Sequence, residues 1–339
     1  MPDTPLEQIV SDLRANAPKY FPGVNVARNV RVVGHTPKPD HYTYDIAVDL
    51  DDRLERVAAK VYRPNKYGAQ GVRAMARAEY DNLIRAFQAS QRKKFSGVPR
   101  PLGDFSELGA VVSEKFSGLP LQSLIMKAAL LPDFSDGKAL QLAAQRTGEW
   151  LRSYHRALAD MPTPFDSAAL LDELEKLCTK CRTQGLDDSA IRNILSGSKA
   201  ALARNRKPVP CSCVLNEFTP LNVIIGDGGV GVADYARMSQ RGFSLQDVAT
   251  FLAAVEALEK YPFCNRRLTR DVQQEFLRAY GLNNTELGLL QVLKIKMLLA
   301  MFAQGRKVKE SALRKKIMWA NVMKRFVQQA AERSLAPAA

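Results

Sequence analysis

Five polar residues stand at spacings that could serve one piece of chemistry. Lys60 lies near the end of the β-rich stretch, in VAAKVY, and Glu79 follows on the helical pattern RAEYDNL. Glu217 and Asn222 lie five apart in LNEFTPLNVII, and Asp234 comes twelve residues later in VADY. Asn222 and Asp234 offer hard oxygen ligands of the kind that suit Mg2+. Each residue also has a plainer reading. Lys60 could be an edge-strand lysine facing water, and Glu79 an ordinary charge on a helix surface. Asn222 could be only a turn residue and Asp234 only a cap.

The elements that must position them fall into a β-rich first third and a helical remainder. NVRVVG (29–34), HYTYDIAVDL (41–50) and LERVAAKVY (54–62) alternate as strands, separated by HTPKPD and DDR turns. A helix is expected over about 70–90, with Met75, Leu83, Ile84 and Phe87 on its apolar side. Two further strands near 101–105 and 108–114 are joined by FSELG. From about residue 119 the pattern is helical almost throughout, with breaks near 261–264, 281–284 and 304–306. The exception is a β island of CVLNEF, NVII and GVGVAD, in which Gly226-Asp227-Gly228-Gly229 closes a hairpin. The expected fold is α+β in two lobes.

In this order, a strand lysine, a helix glutamate, Glu114-Lys115-Phe116-Ser117-Gly118 as a hinge, LNEFTPLN and VADY resemble the aminoglycoside phosphotransferase and choline kinase family of the protein-kinase-like fold. The resemblance covers roughly residues 28–280. It implies a two-lobed fold, with a small β-rich N-terminal lobe and a large helical C-terminal lobe. It also implies a phosphotransferase that uses ATP and Mg2+ on a hydroxyl of a small molecule. Lys60 would hold phosphate oxygens and Glu79 would aim it by ion pairing. The backbone of Glu114 to Phe116 would bind adenine, Asn222 and Asp234 would hold metal, and Glu217 would stand at the base position. Phosphoryl transfer asks the protein mainly for positioning and charge neutralisation, which this set can supply. His155 matches a histidine the family places at the end of a helix beneath the catalytic loop, and Asp247 an aspartate that braces that loop through backbone hydrogen bonds. A helix-start charge favoured by the dipole is the alternative for Asp247.

The departure from the family lies at the motif H-[GN]-D-x-x-x-x-N, where this chain has Leu215-Asn216-Glu217. Glutamate keeps the charge and basicity of aspartate, but its extra methylene moves the carboxylate by about an ångström, a displacement that can cost about 100-fold. Two expectations follow. Either Glu217 works as a base on a shifted acceptor, or the chain is a nucleotide-binding pseudokinase with a scaffold or regulatory role. The turn Gly34-His35-Thr36-Pro37-Lys38-Pro39 is also stiffer than a glycine-lined phosphate loop, although Lys38 could add charge there.

Composition limits the other classes. The 339 residues are 46% hydrophobic, which excludes wholesale disorder, and no apolar run reaches the roughly 18 residues of a membrane span. The polar, amphipathic start lacks a signal-peptide core, so a cytoplasmic location is expected. Five cysteines (Cys178, Cys181, Cys211, Cys213 and Cys264) fit that address. The C-x-x-C and C-x-C pairs could form a zinc site, but they lack knuckle glycines and read better as buried thiols. The net charge is +14, of which residues 291–333 carry +9, from eleven Lys or Arg against two Glu. A solvated helix face explains that segment. It could also meet an anionic membrane surface at the inner face or, as a further rival, nucleic acid. The same basic character disfavours a polycationic acceptor and favours a neutral or anionic one, such as a sugar or polyol of surface-glycan metabolism. The domain division expected is 1–27 as a helical extension, 28–116 as the N-lobe and 117–284 as the C-lobe with its hairpin. Residues 285–339 follow as basic helices packed on the C-lobe.

Overall fold

The computed structural model describes residues 4–51, 53–130, 137–204, 207–260, 264–305 and 327–329. The chain divides into two compact units. The first comprises residues 1–118 and 224–238, and the second residues 119–223 and 239–339.

The first unit opens with α1 (Pro5–Ala15) and α2 (Ala17–Tyr20). Thr4 caps α1 by accepting the Glu7 N–H, and the Glu7 carboxylate returns to the Thr4 N–H at 2.7 Å, a capping box that fixes the start of the helix. Ile9 and Leu13, four residues apart, then face inward. The sheet consists of β1 (Asn29–Pro37), β2 (His41–Asp49), β3 (Leu54–Tyr62), β4 (Pro101–Phe105) and β5 (Ala110–Glu114), in the order β1-β2-β3-β5-β4. Its pairs are antiparallel, and Thr43 stands opposite Lys60, which in turn faces Val111.

Period-2 alternation sends Ile46, Val48, Val57, Ala59, Ala110 and Val112 to one face, where they form a core with Ile9, Leu13, Tyr20 and Phe21. The opening helices thus share the core of the sheet. Lys60 and Ala58 lie on the other face. β1 runs three residues further than NVRVVG suggests, past a bulge at Val32/Gly34, so the expected open turn at 35–40 is reduced to a tight reversal.

Between β3 and β4 runs α3 (Pro64–Lys93), which starts earlier than its hydrophobic period suggests and breaks at Gly68, where φ is +67°. Its buried face is Val72, Ala76, Glu79, Leu83 and Ala86, at spacings of four and three. Met75, Ile84 and Phe87 sit at the border of that face rather than at its centre.

The hairpin of β9 (Val223–Gly226) and β10 (Gly229–Val232) is closed by Asp227 and Gly228. Residues 224–238 cluster with the first unit, where the sequence division had kept the hairpin with the helical part. Specific bonds explain this. The Val232 N–H donates to Gly97 O at 3.0 Å, and the Asn82 side-chain amide donates to Tyr235 O and Met238 O at 3.0 and 3.1 Å.

The second unit begins with a two-residue strand, β6 (Leu119–Pro120), followed by α4 (Leu121–Leu130) and α5 (Gly137–Ala157). After β7 (Ala159–Thr163) come α6 (Ser167–Arg182), α7 (Asp188–Ala203) and β8 (Val209–Val214). β11 (Ser239–Phe243), α8 (Leu245–Glu256), α9 (Arg266–Tyr280) and α10 (Leu287–Gly305) complete it.

β7, β8 and β11 pair as an antiparallel sheet, which corrects the expectation of one β island in an otherwise helical region. ADMPT and SQRGF are polar and short, so their strand character comes from pairing with the apolar VPCSCV rather than from local propensity. The expected break at 281–284 falls at the Gly281 cap, whereas those near 261–264 and 304–306 run into positions outside the described residues.

Of the basic residues counted at 291–333, Lys294 and Lys296 lie in α10 and are ion-paired to Glu256 and Glu173. They are therefore not part of a bare cationic face. The others, from Arg306 on, lie outside the described residues. No helix of the described residues is long and apolar enough to cross a membrane.

The cysteine pairs are buried thiols. Cys181 donates to Leu299 O and Cys213 to Gln240 O, while burial pushes Cys178 up to about 11 and Cys181 up to about 12. Among the described residues, no three His, Cys, Asp or Glu come together as a metal ion would need.

Contact between α5 and α9 is close enough to require glycine. A Cβ on Gly148 would lie 2.4 Å from Phe276 O. Gly148→Ala is therefore expected to force the helices apart and cost about 1–3 kcal/mol, despite its better helix propensity. Urea denaturation that shows no loss of stability would contradict this packing.

Candidate functional site

In the first unit, β3, α3 and the segment after β10 bring three charges together. Lys60 Nζ lies 3.0 Å from Glu79 Oε1 and 3.1 Å from Asp234 Oδ1. The side chains are 12%, 4% and 20% exposed, so this is an interior cluster with its more open side at Asp234. Lys60 reaches it because it projects from the sheet face opposite the core. Glu79 reaches it because it interrupts the apolar stripe of α3, halfway between Ala76 and Leu83. Asp234 is held by the Ala236 N–H, which donates to Oδ1 at 3.0 Å.

The electrostatics follow from burial competing with pairing. Burial alone would lower the Lys60 pKa, but two carboxylates outweigh it and raise it, so the ammonium form is secure. Glu79, deeper, is raised by burial despite Lys60 and a hydrogen bond from Tyr62. Burial also works against the Asp234 anion, yet Lys60 and the Ala236 N–H hold its pKa below the ordinary value.

Tyr62 and Asn82 were not singled out from sequence, although periodicity could have found both. Tyr62 lies two residues from Lys60 on the same sheet face, and its ring centroid is 5.2 Å from Lys60 Nζ. Asn82 lies three residues from Glu79 on the same face of α3 and holds the backbone that follows Asp234.

Glu114 ends β5, and its N–H donates to Arg100 O at 2.9 Å. Phe116 lies against the hairpin. A Cβ on Gly231 would fall 2.4 Å from its ring, so only glycine fits there.

Glu217 and Asn222 belong to the second unit, in a loop with its own supports. Asn216 has φ +63°, the left-handed region that glycine and asparagine tolerate, which explains the residue types the motif accepts at that place. Its side chain donates to Ser239 Oγ and accepts from Gln246 Nε2, both at 2.8 Å.

The fully buried Asp247 accepts from the backbone N–H of Leu215 and of Asn216, each at 2.8 Å. His155 lies between Asp247 Oδ2 at 3.1 Å and Tyr280 OH at 3.0 Å. Phe218, next to Glu217, is buried against Trp150 and Phe251 and anchors the loop. Asn222 Nδ2 donates to Glu217 O at 3.0 Å, which fixes the amide with its oxygen directed away from that bond.

Replacing Lys60 by methionine leaves Glu79 buried with no cation, only the Tyr62 hydroxyl and a long bond from the Tyr235 N–H at 3.5 Å, and Asp234 without its cation. The expected loss is about 3–5 kcal/mol at pH 7.5. The loss should shrink towards pH 5. A buried carboxylate whose folded pKa lies above its unfolded value takes up its proton first in the native state, so acid relatively stabilises the variant. Urea curves at the two pH values read the difference, and a pH-independent loss would contradict the assignment.

No protein-family model matches the chain, and no curated protein is similar to it in sequence. Solved structures are similar in fold. A glucosamine kinase in complex with glucosamine, ADP and inorganic phosphate superposes with a TM-score of 0.54 at 15% identity, over 93% of this chain and 97% of the other. A choline kinase from Cryptosporidium parvum gives 0.56 at 14% identity, over 98% of each chain. An amicoumacin kinase in complex with AMP-PNP and Ca2+ gives 0.53 at 15% identity, over 95% of this chain and 93% of the other. With its β-rich first part and helical remainder, the chain has the two-lobed α+β protein-kinase-like fold of the aminoglycoside phosphotransferase and choline kinase type.

Proposed function

We propose that the protein is a phosphotransferase that moves the γ-phosphoryl group of Mg2+–ATP to a hydroxyl of a small molecule. The observation that carries this reading is the Lys60–Glu79–Asp234 cluster. A buried ammonium held at 3.0 and 3.1 Å by two carboxylates can turn from Asp234 to a phosphate without giving up Glu79.

Adenine would use the Glu114 carbonyl and the Phe116 N–H, since the Glu114 N–H is already bonded to Arg100 O. The donor set suits Mg2+: the Asp234 carboxylate and the Asn222 amide oxygen are both hard. Support for pairing them comes from the hairpin, which returns the chain to its starting end. Asn222 immediately precedes β9, and Asp234 follows β10 by two residues.

When bound, the metal would neutralise the charge between β- and γ-phosphates. Glu217 orients the acceptor hydroxyl and accepts its proton. Asp247, through the N–H groups of Leu215 and Asn216, holds the backbone that carries Glu217 in place. A neutral or anionic acceptor, a sugar or polyol, fits the basic charge balance of the chain.

Mg2+–ATP is expected to raise the melting temperature, and Asp234→Ala to abolish the magnesium-dependent part of the shift with the fold intact. Unchanged binding in that variant would remove Asp234 from the site. Glu217→Asp then separates the two catalytic readings. Higher phosphotransfer marks a weakened enzyme and lower phosphotransfer a glutamate-adapted one. Tight nucleotide binding with no transfer to any sugar or polyol by either form would instead favour a regulatory pseudokinase.

A further inference from the structure

The turn between β1 and β2 is poor in backbone donors. Pro37 and Pro39 have no N–H, and the Lys38 N–H is spent on His41 O at 2.9 Å. Gly34, His35 and Thr36 are registered against Asp45, Tyr44 and Thr43, so their amides lie in the plane of the sheet rather than pointing off its face. An anion gripped from this turn must be gripped by side chains.

His41 is placed to do so. It stands opposite Tyr62 in the β2–β3 register, two positions from Lys60 and therefore on the same sheet face. Its ring meets Tyr62 edge-on, with centroids 5.8 Å apart, and is about nine-tenths buried. Nδ1 lies 2.7 Å from Asp40 Oδ1. A carboxylate only accepts, so Nδ1 is the donor and the reactive nitrogen is Nε2. Among the described residues, Nε2 has no hydrogen-bond partner. The turn itself is tied down, since the Arg63 N–H donates to Asp40 O at 2.9 Å.

We propose that His41, oriented by Asp40, is a side-chain contact for the polyphosphate of the bound nucleotide. The inference rests on the nucleotide reading above. A neutral Nε2 would present a lone pair to phosphate oxygens, whereas a protonated one donates a charge-assisted bond. The charged and titratable groups facing the ring are Asp40 in the turn just before its strand, Lys60 and Tyr62 on β3, and Asp234 after the hairpin. Glu79 of α3 lies behind Lys60 and Tyr62. Burial and the Lys60 charge keep His41 below its ordinary pKa, against the pull of Asp40 and Asp234. The free protein therefore holds neutral imidazole at pH 7.5. A polyphosphate adds negative charge and engages Lys60, so binding draws a proton onto Nε2.

Isothermal titration with Mg2+–ATP and with AMP, at pH 7.5 in Pipes and in Tris, tests this on the full chain. The difference between the buffers reads the protons taken up. Wild type is expected to take up as much as one proton with Mg2+–ATP. His41→Gln should abolish the uptake and weaken Mg2+–ATP roughly ten- to a hundredfold, leaving AMP nearly unchanged. If that variant melts early, Asp40→Asn keeps the imidazole but removes its carboxylate, and should show the same pattern at smaller size. Equal weakening of ATP and AMP, or proton uptake that survives in His41→Gln, would overturn the proposal. Failure of the wild type to bind Mg2+–ATP would overturn the nucleotide reading and this inference with it.

Discussion

A buried ammonium facing two buried carboxylates is an unbalanced arrangement, and the first unit is organised around holding it. Lys60 satisfies Glu79 and Asp234 together, but one positive charge against two negative ones leaves a deficit in a region where water screens poorly. The structure meets this deficit in a graded way. Glu79, the deeper group, is supported by the Tyr62 hydroxyl, and Asp234, the shallower one, by the Ala236 N–H. Such a cluster is stable enough to persist in the free protein, yet it gains from an incoming cation near Asp234. That asymmetry is what a nucleotide–metal site needs before its ligand arrives.

The second unit uses the opposite strategy. Asp247 is fully buried and engages both carboxylate oxygens with backbone N–H groups and His155, so its charge is committed to the loop. Its effect is mechanical. It fixes the left-handed turn at Asn216, and with Phe218 locked among aromatic rings it sets the path of the chain on both sides of Glu217. A loop held this firmly has little freedom to absorb the longer side chain of a glutamate. In the phosphotransferase proposed above, the consequence of Glu217 for rate would therefore depend on where the acceptor sits, not on slack in the backbone.

Much of this was legible in the sequence wherever the signal was periodic. LERVAAKVY alternates and forms β3 over the residues expected, which places Lys60 on the face away from the core. Glu79 was legible through its place after the strand lysine in the family order, whereas its burial among Val72, Ala76, Leu83 and Ala86 shows only in the structure. What could not be read was the outcome of long-range pairing. β7 and β11 take strand form through β8 rather than through their own residues, and the hairpin and the segment after it join the first unit through bonds donated by Asn82 and accepted by Gly97. His41 carries no sequence signal of its own. The tight Lys38–His41 reversal, and the alignment of His41 with Tyr62, exist only once the sheet register is set.

The central claim is that the Lys60–Glu79–Asp234 cluster is the resting state of a nucleotide–metal site. The most direct test is a crystal structure with AMP-PNP and Mn2+, the metal located by its anomalous signal. The account predicts Mn2+ bound to Asp234 and Asn222 oxygens at roughly 2.0–2.3 Å, with Lys60 moved from Asp234 onto a phosphate while keeping Glu79. Nucleotide bound elsewhere, or a metal away from Asp234 with Lys60 still bridging both carboxylates, would contradict it.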